Sequence, residues 1–328
     1  MVNKERWLEK KRADILPVKY FHTVFTLPHD LNPIVLCNKS VMLEILFQSV
    51  SETLLEFGKN PKNGLGGELG FIAILHTWDQ QLRDHFHLHC LIPGGVLSMD
   101  ESRWISCKKE YLFPVDALKI VFRGKFMAYF KEANREKKLI FPGNTSKFAD
   151  AMHFRRLEKD LYNKDWVIHI KKPVEEPDYV LDYLGRYTHR VAISNNRIQA
   201  LDNGKVTFTY RNREANTTEE STIDSVSFIR RFLQHVLPKR FFRIRSYGFL
   251  ANRCKTAKVK KCRELLGDME SSQNTEQSIR DLMLRLTGED IELCRICRKG
   301  KMKEIREIPK RTGEDPFDVI WPAELRSN

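Results

Sequence analysis

Apolar and polar positions along this chain follow two periods, and the period changes from segment to segment. Lys19 to Leu27 (Lys-Tyr-Phe-His-Thr-Val-Phe-Thr-Leu) is crowded with β-branched and aromatic residues and stops at Pro28. That pattern predicts a strand. Ser40 to Phe57 carries Val41, Ile45, Leu46, Val50, Leu54 and Leu55 at helical spacing. The Gly/Asn/Pro stretch from Gly58 to Gly67 reads as a loop. Phe71 to Trp78 and His85 to Ile92 then read as two antiparallel strands around a polar turn near Gln81–Asp84. A helix is expected over Ala117 to Lys137 and a short strand from Trp166 to Lys171, before Pro173. Lys4 to Ile15 resembles a charged helix stopped by Pro17, and a second helix runs from Pro177-Asp178 to about Tyr187. Arg190–Ile198 and Lys205–Arg211 suit a hairpin, with Asp202-Asn203-Gly204 as its turn. Gly267 to Ser278 is polar and acidic, a linker by composition, and no internal repeat is present. Helices and antiparallel strands segregated in this way make the fold class α+β.

Composition narrows the class. At 328 residues with 41% hydrophobic side chains, the chain can bury a sizeable core and is long enough for about two domains. Its longest apolar runs, such as Phe71-Ile72-Ala73-Ile74-Leu75, fall far short of the ~20 residues of a membrane span. The charged opening residues hold no signal-peptide core. Seven scattered cysteines, an odd number, suit reduced thiols in a cytosolic setting.

The net charge of +13 leaves nucleic acid, an anionic membrane or an acidic protein as partners. Its location decides among them. Phe228 to Arg263 holds 12 Lys/Arg and not one Asp or Glu, which accounts for nearly the whole excess. Arg230, Arg231, Lys239, Arg240, Arg243, Arg245, Arg253, Lys255 and Lys258, followed by Lys260, Lys261 and Arg263, alternate there with Phe228, Phe232, Phe241, Phe242, Tyr247 and Phe249. Clustered cations neutralise phosphates and interleaved aromatics stack on unpaired bases, so the segment points to nucleic acid. A solvated basic face over buried aromatics is the plainer alternative.

His85-Phe86-His87-Leu88-His89-Cys90-Leu91-Ile92 alternates strictly. On a strand the three histidines share one face, while Phe86, Leu88, Cys90 and Ile92 point to the core. Two imidazoles at i and i+2 can hold one divalent ion. The preceding strand offers a third ligand from Leu75-His76-Thr77-Trp78-Asp79-Gln80. An oxygen from Gln80 or Asp79 suits Mg²⁺ or Mn²⁺, and His76 suits a softer ion. Gln80 stands first by its position beside the turn, with His76 and Asp79 as alternatives.

Tyr179, Tyr183 and Tyr187 fall at i, i+4 and i+8 on one helical stripe. Such stripes are usually core, yet Val180, Leu181 and Leu184 already offer a packing face. A tyrosine hydroxyl, with an ordinary pKa of about 10, becomes a useful nucleophile when a metal polarises a phosphodiester. Histidines, tyrosines and the basic segment together describe a DNA strand-transfer site.

These features resemble HUH endonucleases, in particular the two-tyrosine transposases of the insertion sequence 91 family. The similarity extends to Leu16-Pro-Val-Lys-Tyr-Phe-His-Thr-Val-Phe-Thr-Leu-Pro28, His76-Thr-Trp-Asp-Gln80, His87-Leu-His-Cys-Leu-Ile-Pro-Gly-Gly95, Tyr183-Leu-Gly-Arg-Tyr-Thr-His-Arg190 and Arg245-Ser-Tyr-Gly-Phe-Leu-Ala-Asn-Arg253. It covers about residues 5 to 265. The resemblance implies a central antiparallel sheet flanked by helices, with the histidine strand at its centre, followed by a basic DNA-binding region. It implies His87 and His89 as ligands of Mg²⁺ or Mn²⁺, with His85 as a neighbour. Tyr183 and Tyr187 become the two nucleophiles, which keep a 5′ phosphate and release a 3′-OH on single-stranded DNA at mobile-element ends. Tyr179 takes no role.

The expected organisation is a helical remnant at 1–15, a nuclease domain at 16–200, a hairpin with the basic region at 201–265, and a linker and tail at 266–328. Members of that family carry a Cys-rich zinc-binding module ahead of the segment that begins here near Lys4, so a truncated, variant or decayed copy is one expectation. Cys294 and Cys297 amount to half a zinc site. The resemblance implies a bacterial cytoplasmic, nucleoid-associated protein with no membrane partner, and leaves its oligomeric state open. A plasmid replication initiator or relaxase with the same chemistry is the alternative, and a DNA-binding copy without catalysis a further one.

Overall fold

Strand β1 (Tyr20–Thr26) enters a five-stranded sheet. The computed structural model describes residues 14–108, 112–171, 173, 192–212, 215–268, 290, 292–294, 297 and 299–302. The predicted helix at 4–15 (all but its last two residues), the tyrosine helix with Tyr179, Tyr183 and Tyr187, and most of the linker lie outside them. Contacts divide the chain into a large unit over Asn3–Asn274 and a small one over Thr275–Asn328.

After β1 come helices α1 (Asn32–Cys37) and α2 (Lys39–Lys59), then β2 (Gly67–Glu68). The hairpin of β3 (Phe71–Trp78) and β4 (Asp84–Pro93) follows, and then the short strands β5 (Gly95–Ser98) and β6 (Trp104–Ser106). Helices α3 (Val115–Arg135) and α4 (Ala151–Asn163) lead to β7 (Ile168–Ile170). Asp150 caps α4 by accepting from the amides of Met152 and His153. Strands β8 (Ile198–Asp202), β9 (Lys205–Asn212) and β10 (Thr217–Asp224) form a separate antiparallel sheet, capped off by α5 (Ser225–Gln234). Strand β11 (Ile244–Tyr247) and helix α6 (Lys255–Leu266) complete the large unit among the described residues.

The predicted hairpin is displaced at its first arm. Its turn at Asn203-Gly204 is as expected, with both residues at positive φ. The first strand, however, begins at Ile198, where the expected strand ended, because 195–197 form a tight 3₁₀ turn.

The large sheet has the order β11-β3-β4-β1-β7, antiparallel throughout, so β4 is its middle strand. One face is largely apolar. Phe21 and Phe25 of β1, Ala73 and Leu75 of β3, and Phe86, Leu88, Cys90 and Ile92 of β4 pack under α2, α3 and α4. Phe47, Phe122, Phe126 and Trp166 join this core almost fully buried. The opposite face is divided along the strands. At one end Tyr20, Ile72, Ile74 and Leu91 pack against Leu16, Phe249, Leu250 and Val259. At the other end the same face carries histidines.

Strand β11 takes the edge beside β3, with Ile244 opposite Ile74 and Tyr247 opposite Phe71. Gly248 ends it at φ +59°, where a Cβ would lie 1.6 Å from the carbonyl oxygen of Leu69. Only glycine fits there. None of the described helices is long and apolar enough to cross a membrane.

Candidate metal centre and basic surface

Parity on β3, β4 and β1 brings the histidines together. His76 pairs directly with His87, His89 stands opposite Ile74 on one side and Val24 on the other, and His22 stands opposite Leu91. One ligand nitrogen from each of His76, His87 and His89 can be chosen so that all three lie within 4.8 Å of one another. The rings of His76 and His89 are 4.2 Å apart, and those of His87 and His89 4.8 Å. His76 and His87 are buried, and Trp78 stacks on His76 at 5.0 Å.

Hydrogen bonds set which nitrogen each ring turns inward. His87 Nδ1 lies 2.8 Å from the carbonyl oxygen of His85, which can only accept. The proton therefore sits on Nδ1 and the lone pair on Nε2. His89 Nδ1 lies 2.8 Å from Nε2 of the buried His22, and the two rings stack. An imidazole held at one nitrogen by a fixed partner offers the other to an ion in a set direction. His22 was not singled out in the sequence, since one histidine on a strand reveals nothing until its register is known.

His85 stands outside the triad, with its ring 5.3 Å from His29 and 4.6 Å from His87. The strand β3 ends at Trp78, and the β3–β4 register shifts between His76 and Trp78. Asp79 then caps the turn, accepting from the amides of Gln81 and Arg83 and from Arg83 Nε. Gln80 is exposed in that turn, and its carbonyl accepts from Arg197. The buried His235 braces the turn through Thr77 and the carbonyl of Leu82.

Burial holds His22, His76 and His89 neutral. His22 is pushed down to about 3, first by desolvation and then by Lys171 and His169. His76 and His89 lie well below the usual value, by desolvation first and then by neighbouring histidines, with Arg243 also acting on His76 and Lys171 on His89. A neutral imidazole is the form that ligates a metal.

The same shifts carry a pH signature. In the unfolded chain these rings take up protons near pH 6.5, so below that value the unfolded state binds more protons than the folded one. Stability is therefore full above about pH 6.5 and falls as pH drops towards the folded values. Each such histidine costs about 1.4 kcal/mol per pH unit in that window. Denaturation midpoints of the metal-free protein should decline from about pH 7 to pH 5, and His22→Gln should reduce the slope.

The basic segment is divided by the fold. Arg230, Lys239, Arg240 and Arg253 are exposed. Arg231 donates to the carbonyl of Gln81, and the half-buried Arg243 accepts the Leu75 amide at its carbonyl oxygen. Three others meet carboxylates from distant parts of the chain. Lys255 pairs with Asp14 at 2.8 Å, and Lys258 pairs with Glu68 and with Glu101. Arg245 makes two 2.8 Å bonds to Glu44 and lies over the rings of Phe47 (4.1 Å) and Phe241 (5.0 Å). Arg245→Ala should therefore lower stability by about 1–2 kcal/mol through lost stacking and packing, while Arg240→Ala should leave it within about 0.5 kcal/mol. Urea denaturation of both variants measures the contrast.

An α+β unit with a histidine cluster on the middle of an antiparallel sheet defines a candidate metal-dependent enzyme. Residues 70–258 match a family model described as "Putative transposase". The chain is 41% identical over 312 residues to "Putative transposase y4qJ" of Sinorhizobium fredii (strain NBRC 101917 / NGR234), which covers 94% of this chain and 78% of that protein. It is 28% identical over 253 residues to "Transposase for insertion sequence element IS801" of Pseudomonas savastanoi pv. phaseolicola, covering 76% of this chain and 58% of that protein. The chain belongs to the HUH-type rolling-circle transposase family.

Proposed function

We propose that this protein nicks and rejoins single-stranded DNA at the ends of a mobile element, by tyrosine attack on a phosphodiester beside a divalent ion. The observation that carries the reading is the triad of imidazoles His76, His87 and His89 on paired strands inside the family-matched region. Three nitrogen donors fit Mn²⁺ better than Mg²⁺, which favours oxygen ligands. His76 takes the third position ahead of Gln80 and Asp79. The ion, when bound, polarises the phosphodiester oxygen and makes the phosphorus open to attack.

The remaining roles fall to the chain itself. Tyr183 and Tyr187 supply the two nucleophilic hydroxyls, so a second strand can be cut before the first is resolved. The phosphotyrosine bond conserves the phosphodiester energy, and the released 3′-OH serves as the acceptor or primer. The central sheet is that of an HUH endonuclease, with residues 16–200 as its nuclease domain and 201–265 as its DNA-holding region. A replication initiator or relaxase would share this chemistry, but the transposase names of both relatives favour mobile-element ends.

Incubation with a labelled single-stranded element end and Mn²⁺ tests the reading. A nicked product with an extendable 3′-OH, abolished by chelation, is the expected result, and an uncut strand contradicts it. DNA holding has its own test. Replacing Arg230, Lys239, Arg240 and Arg253 together by alanine should flatten the log–log salt dependence of single-strand affinity by about 3, at roughly 0.7 per phosphate contact.

A further inference from the structure

Cys294 and Cys297 take no part in the chemistry above. Around them the chain folds back on itself. Leu293 and Lys301 form an antiparallel bridge, the amide of Cys294 donates to the carbonyl of Gly300 at 2.7 Å, and that of Met302 donates to Glu292 at 2.6 Å. The amide of Gly300 donates to Cys297 Sγ at 3.4 Å. A Cβ placed on Gly300 would lie 3.5 Å from Cys297 Sγ and 3.9 Å from Cys294 Cβ. Both cysteines therefore flank the same glycine on one side of the hairpin. Neither is in a disulfide, and Cys297 is exposed.

A Cys-x-x-Cys turn closed by a glycine whose amide points at sulfur is built to hold thiolates. The amides of Gly300 and then Lys299, with the Cys294 thiol, lower the Cys297 thiol below its ordinary value. Two thiolates two residues apart grip a soft ion from one side only, whereas structural zinc takes four ligands in a tetrahedron. The unit Thr275–Asn328 contains no third cysteine and no histidine. Among the described residues, the one group of three or more candidate ligands is the histidine triad. A twofold axis through such an ion would supply the missing pair from the same two residues of another chain. Four thiolates around Zn²⁺ leave a charge of −2, which Lys299 and Lys301 on each hairpin offset.

We propose that Cys294 and Cys297 bind a zinc ion jointly with the same two cysteines of a second copy, joining two chains through a four-thiolate bridge. Each thiol gives up its proton to solvent on binding, and no oxidant or reductant is involved. The site is independent of the histidine centre and of the strand-transfer reading.

Cobalt substitution of the full chain under reducing conditions tests it. Thiolate ligands give Co²⁺ a near-ultraviolet charge-transfer band that imidazole ligands do not. The expected result is a band that saturates at half an equivalent of Co²⁺ per chain, bleaches with Zn²⁺, and accompanies a twofold rise in molar mass by light scattering. Cys294→Ser and Cys297→Ser should each remove both band and pairing while the melting transition of the large unit is kept. His87→Ala should retain both. The proposal is overturned by absence of the band, by saturation at one equivalent on a monomer, or by a band indifferent to both serine variants.

Discussion

Replacing His87 or His89 by alanine should lower Mn²⁺ affinity by more than about a hundredfold and abolish DNA cleavage. Each ring is one of three candidate donors, and the triad has no carboxylate among the described residues to replace it. His76→Ala should act the same way, whereas Gln80→Ala, at an exposed turn position, should leave affinity nearly unchanged. His22→Ala is expected to cost roughly ten- to a hundredfold, because it removes the bond that fixes the His89 ring without removing a ligand. Calorimetric titration with Mn²⁺ orders the five variants. Equal losses at Gln80 and His76 would overturn the assignment of the third ligand.

The second large effect lies with the tyrosines. Tyr183→Phe together with Tyr187→Phe removes both proposed attacking hydroxyls and leaves the aromatic rings in place, so cleavage should fall by about a thousandfold or more. Metal binding should be unaffected, since the candidate donors are His76, His87 and His89. Either single variant should retain one round of cleavage or strand transfer and lose the coupled second round. Denaturing gels with labelled oligonucleotides separate these outcomes. Unchanged cleavage in the double variant would place the nucleophile elsewhere.

The histidine strand could be read directly because strict alternation fixes a face: His85, His87 and His89 on one side, Phe86, Leu88 and Cys90 in the core. What alternation does not contain is register. Whether His76 or Gln80 stands beside His87 depends on where β3 ends and on the register shift between His76 and Trp78, both set by the Asp79 turn. His22 was illegible for the same reason, as its partner His89 is 67 residues away.

The basic run shows a different limit. Local composition counts twelve cations without an acid, but Glu44, Glu68, Glu101 and Asp14 reach in from elsewhere to pair with Arg245, Lys258 and Lys255. Four residues of that run, Ile244–Tyr247, extend the central sheet, a role that charge density conceals. Strand β10, Thr-Thr-Glu-Glu-Ser-Thr-Ile-Asp, is largely exposed and carries no apolar alternation, so its pairing with β9 had no signature to read.

The most direct measurement is mass spectrometry of the protein after reaction with a single-stranded element end and Mn²⁺. The account predicts a 5′-phosphodiester-linked nucleotide on peptides containing Tyr183 or Tyr187, absent when His87 is alanine. An adduct on any other residue, or cleavage with no covalent intermediate at all, would contradict it.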